Sequence, residues 1–327
     1  MTLMIPPFPP ISSRRAMPTH RRNRDNHASM GTLSQTLLAT GLLSVTAVSH
    51  AEETATRSSP ESAPDTAKAD KRRYTLCNPT PASLLREMEA LYKSPYTVDA
   101  GHAQVETYLV GYVHDRDTSG GANSLTRIWR IAPTNLKMGV LNNLDVELEF
   151  APYTIVRTED RVTGTTTTQN GFGDLTPKLK LNLWGNDDGS TALALLPFLK
   201  LPTSQDHLGN HAIEGGLALP VSIELPWGWW LGLSPEISFL KNTESGGYSP
   251  AFANTSYLWH EIVGKLSGYV EFTSWVGFES GSRWIGSVDF GLTYLPTKNI
   301  QLDAGVLVGV TPTAPDVNLF LGASFRF

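Results

Sequence analysis

The sequence predicts an all-β protein, a closed antiparallel transmembrane β-barrel of about twelve strands (10–14) with a short N-terminal helical segment, and three observations predict it. Residues 316–327 alternate strictly, with Val317, Leu319, Leu321, Ala323, Phe325 and Phe327 on one face and Asn318, Phe320, Gly322, Ser324 and Arg326 on the other. A period of two is a strand with one apolar face, and a strand reaching the last residue leaves only a bilayer to cover that face. The same alternation recurs from residue 104 onward, about once every 19 residues, the spacing of tilted ten-residue strands joined by turns. The front of the chain has the form of an export signal.

In that front segment Arg21, Arg22 and Arg24 precede an apolar run from Leu37 to Val48, followed by Ser49-His50-Ala51 and Glu52-Glu53. A basic stretch, a short apolar stretch and a small-x-small site define a signal peptide over 1–51, cut after Ala51. The apolar run is too short for a spanning helix, which needs roughly 20 residues. The long basic stretch leaves Met17 or Met30 as alternative starts. Cleavage removes five Arg and one Asp, leaving 21 basic and 30 acidic side chains, a balance that excludes nucleic acid as a partner. Cys77 is the single cysteine, so no internal disulfide or cysteine-rich metal site forms. The mean hydropathy of −0.16 suits a barrel, in which half of each strand faces a polar lumen.

Residues 52–77 carry Ser, Thr, Ala, Pro and charge without apolar periodicity and read as a disordered linker. In residues 78–101, Leu84, Leu85, Met88, Leu91 and Tyr92 recur at helical spacing between Pro81 and Ser94-Pro95. The expectation is an amphipathic helix that caps or plugs the barrel formed by 102–327. Strands are expected at roughly 104–114, 124–139, 143–156, 172–184, 191–202, 213–225, 229–240, 251–263, 266–279, 284–295, 299–311 and 316–327. Strand 2 is ambiguous around Pro133, and the eighth alternates poorly. An even count puts both termini at the periplasmic end, so the polar stretches 161–171 and 242–250 become external loops. Trp184, Trp227, Trp229, Trp230, Trp259 and Trp284 lie near strand ends, as aromatic girdles do.

The register assigns a charged inward set: Gln104, Glu106, Glu147, Glu149, Asp174, Lys178, Lys180, Lys200, Glu214, Glu224, Glu236, Glu271, Asp289, Asp303 and Arg326. A basic residue facing lipid would cost about 2–4 kcal/mol at the midplane, so these side chains are expected to line the lumen. They either pair and fill a narrow barrel or border an open path. Catalytic signals are weak. His260-Glu261 and His114-Asp115 lack a Ser or Asp at triad spacing, and His207, His211 and Asp206 lack a second liganding segment. The residues imply no catalytic site, no metal site and no cofactor, and they leave the oligomeric state open.

The segments 78–106 (NPTPASLLREMEALYKSPYTVDAGHAQVE), 171–186 (GFGDLTPKLKLNLWGN), 192–203 (ALALLPFLKLPT), 214–229 (EGGLALPVSIELPWGW) and 267–272 (SGYVEF) resemble, in this order, the phenol meta-pathway degradation family of transporter-type outer-membrane proteins. The G-D-x-x-P-K-x-K and L-P-T elements are its most specific parts. The resemblance covers 78–327 and implies an outer-membrane barrel that admits small aromatic or other hydrophobic solutes, without catalytic residues. It also implies that barrel-insertion machinery reads the last strand, with Phe327 as the assembly signal. Where relatives carry an acidic T-D-R-P-D stretch, this chain has Glu89-Ala90-Leu91-Tyr92-Lys93. The competing readings are an outer-membrane hydrolase, with His260 and Glu261 as its first candidates, and a purely structural barrel.

Overall fold

The computed structural model describes residues 71–90, 93–242 and 245–327. The expected signal peptide and most of the expected linker lie outside the described residues. Twelve strands form an antiparallel meander. They are β1 (Ala103–Asp117), β2 (Ser124–Ile131 and Thr134–Leu141), β3 (Leu144–Phe150 and Tyr153–Asp160), β4 (Thr165–Gly171 and Thr176–Trp184), β5 (Thr191–Lys200) and β6 (Glu214–Ala218 and Val221–Leu225). They continue as β7 (Trp229–Lys241), β8 (Tyr248–Val263), β9 (Leu266–Gly277), β10 (Ile285–Thr297), β11 (Ile300–Gly309) and β12 (Val317–Arg326). Each strand pairs with its sequence neighbours. β12 returns to β1 in a register running from Gln104↔Arg326 to His114↔Val317, so the sheet closes and has no free edge.

The alternation read from the sequence decides which side each residue faces. In β10, Ser287, Asp289 and Thr293 are buried inward while Phe290, Leu292 and Tyr294 are exposed outward. In β12, Leu319 and Leu321 are exposed while Asn318, Phe320, Ser324 and Arg326 are buried. The exposed apolar band is the surface a bilayer covers. Short connections such as 142–143, 264–265 and 298–299 lie at the end holding both strand termini, and longer ones, including 201–213, lie at the other. That arrangement puts the first end in the periplasm.

Four strands are interrupted. In β2 and β3 the breaks face each other, Ala132-Pro133 against Ala151-Pro152, between the pairs Ile131↔Tyr153 and Thr134↔Phe150. Proline has no N–H for the ladder, which is why the pairing lapses there and why the sequence around Pro133 read ambiguously.

Several expectations change. The stretch 161–171 is not a loop: only 161–164 connect, and the β-branched Thr165–Thr168 extend β4 beyond the bilayer. Likewise β8 begins at Tyr248. Trp230 and Trp259 face each other on the inward side of β7 and β8 rather than joining a girdle. That inward Trp, with Tyr257, is the reason β8 lacks polar alternation. No α-helix occurs among the described residues of 78–101. A single 3-10 turn, Ala82–Leu84, is followed by irregular backbone in which Arg86 N donates to Asp99 while Glu89 O and Arg86 O accept from Gln104 and Arg326 of the barrel wall, so tertiary contacts override the helical spacing there. The end of the expected linker is also ordered, with a 3-10 turn at Lys71–Arg73 and a bridge from Thr75 to Leu141.

Candidate functional site: the charged lumen

Inward positions on β1 to β6 carry a belt of ion pairs. Lys137 of β2 meets Glu106 of β1 at 2.5 Å, and Lys180 of β4 meets Glu147 of β3 at 2.9 Å. Lys178 pairs with Glu149, and Lys200 of β5 reaches Glu214 at 2.5 Å and Asp174 at 3.6 Å. Glu147 also accepts Asn135 Nδ2 at 2.9 Å. Lys180 and Glu147 are 1% and 3% exposed, a degree of burial that charges tolerate only when paired and hydrogen-bonded. Glu236, Glu271, Asp289, Asp303 and Arg326 are also inward, with Glu271 directly opposite Asp289. Glu224 has inward parity but is exposed at the periplasmic end of β6.

The described residues of 78–101 occupy the periplasmic side of this lumen. Lys93 pairs with Glu236 of β7. Lys180 Nζ donates to Tyr96 O at 3.2 Å and Asn182 Nδ2 to Pro95 O at 3.0 Å. Val98 N donates to Asp145 Oδ2 at 3.0 Å, and Thr97 N to Asn186 Oδ1 at 3.1 Å. From the final strand, Arg326 Nη1 donates to Arg86 O at 2.6 Å and lies 3.6 Å from Asp99. Arg86, Asp99, Glu89, Gln104, Lys137 and Arg326 are among the residues around a cavity of about 320 Å³. Burial pushes the Glu89 carboxyl up to about 7, against the opposing pull of Lys180 and Lys137 and a hydrogen bond from Ser94.

Sequence reasoning missed Lys137, Asp145 and the segment's Arg86, Lys93 and Asp99. Asp145 shares the parity of Glu147 and Glu149 and so carried a signal. Lys137 did not, because the break at Pro133 hides the register of β2.

Aromatic groups interrupt the polar lining. Tyr108, Tyr269 and Phe320 form a buried inward cluster with Trp259 packed against it, and the Tyr108 and Phe320 rings lie 4.8 Å apart. Toward the external end Val113, Ile128 and Val156 form a second cluster against Leu208 of the 201–213 loop. The hydrolase candidates separate from all of this. His260 faces outward, stacked on Trp229 at 4.5 Å with Nδ1 3.1 Å from Gly228 O, and Glu261 is exposed. His207 Nδ1 and His211 Nε2 lie 3.0 Å apart in an exposed loop, and Asp206 instead accepts the Asn170 N–H. No group of three liganding side chains gathers among the described residues.

A closed twelve-stranded meander with an apolar belt outside and a charged lumen inside is a porin-like outer-membrane barrel. The chain belongs to the family described as the MetA-pathway of phenol degradation, whose model matches residues 92–327. Among solved structures, the COG4313 outer membrane channel from Pseudomonas putida F1 is 14% identical, with a TM-score of 0.52 over 76% of this chain and 99% of that one. The transport unit of the autotransporter AIDA-I from Escherichia coli is 11% identical, with a TM-score of 0.47 over 75% of this chain and 94% of its own. The NanC porin is 11% identical, with a TM-score of 0.45 over 69% and 100%. No curated protein matches the sequence.

Proposed function

We propose that the barrel admits small apolar or aromatic solutes through its lumen and that residues 78–101 form the gate at the periplasmic exit. The observation that carries this reading is the inward aromatic cluster of Tyr108, Tyr269, Phe320 and Trp259. A lumen built only to hold water and ions has no use for apolar rings, whereas a planar apolar solute stacks on them at ring separations of about 4.5–7 Å. The path runs from the external patch around Ile128, past the aromatic cluster, to the charged belt and the docked segment. In this proposal the inward acids and bases border the path, and their pairing with the segment describes the resting, closed state. The family match supports a route for aromatic compounds. The outward, stacked position of His260 removes support from the hydrolase reading.

The test is influx of p-nitrophenol into vesicles with an alkaline interior, where phenolate absorbance reports arrival. Wild type is expected to exceed protein-free vesicles, and Phe320→Ala with Tyr108→Ala to reduce the excess. Influx equal to that of protein-free vesicles overturns the proposal.

A further inference from the structure

We propose that the outward face of β1, β2 and β3 at the external rim binds the phosphorylated headgroup of the outer-leaflet glycolipid, lipid A. His114, Arg127 and Arg157 lie directly opposite one another across these three strands, in one row on the lipid-facing side. The Arg127 and Arg157 side chains are 34% and 55% exposed. Like charges placed directly opposite on a sheet repel, so this pairing needs an anion. Glu159 supplies one: its Oε1 lies 2.9 Å from Arg127 Nη1 and 3.3 Å from Arg157 Nε. One carboxylate leaves a positive charge uncompensated. It also leaves most of the ten N–H donors of two guanidinia without an acceptor among the described residues.

The rows beneath match the rest of a lipid. Two residues down, about 7 Å toward the bilayer centre, Tyr112 faces Trp129 with ring centroids 4.5 Å apart. Two residues further, Ile131 faces Tyr153, both exposed to the hydrocarbon. Guanidinium, aromatic and aliphatic rows therefore follow one another down the wall as phosphate, sugar and acyl chains do in the lipid. Arginine forks bind phosphate oxygens bidentately and suit such a headgroup better than lysine. The row sits at the end with the long loops, hence in the outer leaflet.

The experiment is native mass spectrometry of the full-length barrel in detergent, titrated with bisphosphorylated lipid A, with dephosphorylated lipid A and with phosphatidylglycerol. Wild type is expected to retain bisphosphorylated lipid A at least about tenfold better than either of the others, as loss of charge-assisted hydrogen bonds dictates. Arg127→Gln with Arg157→Gln is expected to lower its retention by a similar factor, while Lys298→Gln in the opposite turn leaves it unchanged. Equal retention of the dephosphorylated lipid or of phosphatidylglycerol overturns the proposal, as does undiminished retention by the double variant. If that variant does not fold, the comparison of the three lipids on wild type decides.

Discussion

Tyr269 on β9 stands directly opposite Gly291 on β10, and a Cβ placed on Gly291 would come within 2.2 Å of the Tyr269 ring. Two further inward pairs repeat the relationship, Tyr257 against Gly232 and Phe320 against Gly305. Each ring lies over bare backbone on the next strand, so aromatic bulk is housed against the wall rather than across the bore. Gly291→Val forces that ring off the wall and is expected to destabilise the folded barrel by about 1–3 kcal/mol. Urea unfolding in lipid vesicles, followed by heat-modifiable migration, measures it.

The Lys180–Glu147 pair lies almost wholly out of solvent, and Lys180 also holds the segment through Tyr96 O. Lys180→Met strands the Glu147 charge and is expected to cost about 3–5 kcal/mol. The double change with Glu147→Leu is expected to recover much of that stability but not the anchor at Tyr96. Both variants should therefore show a higher open-channel frequency in planar bilayers, and only the single one a large drop in unfolding midpoint.

Glu89 gives the docked segment a pH dependence. Its carboxyl holds a proton more firmly in the lumen, where its value is about 7, than when released, where it returns toward 4.5. Docking is then tightest below 4.5, weakens as pH rises toward 7, and is flat above that. The charged groups acting on it are Lys180, Lys137 and Glu106. Conductance is expected to rise between pH 5 and pH 8 in wild type, and Glu89→Gln to flatten the profile. A fall in conductance over the same range contradicts the gate.

Much of this lumen was legible in the residue order. Strands β9 to β12 alternate so regularly that Glu271, Asp289, Asp303 and Arg326 could be placed inward before any coordinates. What stayed hidden follows from non-local causes. The register of Lys137 depends on a proline break, and the helical spacing of Leu84, Leu85 and Met88 is overruled by backbone bonds to Gln104, Asp99 and Arg326. Trp259 looks like a girdle residue by position along the chain, and only the parity of β8 turns it inward.

Selectivity is expected to favour cations. The structure adds Lys137, Arg130, Lys93 and Arg86 to the lumen bases and Asp145, Asp99 and Glu89 to its acids, which narrows the acidic excess of the expected set without removing it. The inward positions of β9, β10 and β11 carry Glu271, Asp289 and Asp303 and no base. A low-dielectric wall strengthens their field, and salt screens it over roughly 10 Å at 0.1 M. Reversal potentials under a salt gradient should show cation preference, reduced in Glu271→Gln with Asp289→Asn. Anion preference contradicts the assignment of these acids to the path.

Phe327 is 72% exposed at the closure seam, where its backbone exchanges hydrogen bonds with Ala103 at 2.8 and 3.2 Å. Phe327→Asp keeps the backbone contacts and removes the apolar end of the row. Less heat-modifiable protein in the outer-membrane fraction is expected, with unaltered conductance per inserted barrel. Normal insertion rules out Phe327 as an assembly signal.

The bond from Arg326 to Arg86 O joins nearly the last residue of the chain to one that precedes every strand. During synthesis the inner segment is made first, and its final anchor is made last. The anchors on β3, β4 and β7 precede it in the chain, and the one from Arg326 comes only with the strand that completes the wall. If the segment is the gate proposed above, the closure of the cylinder and the last anchoring of its gate become a single event.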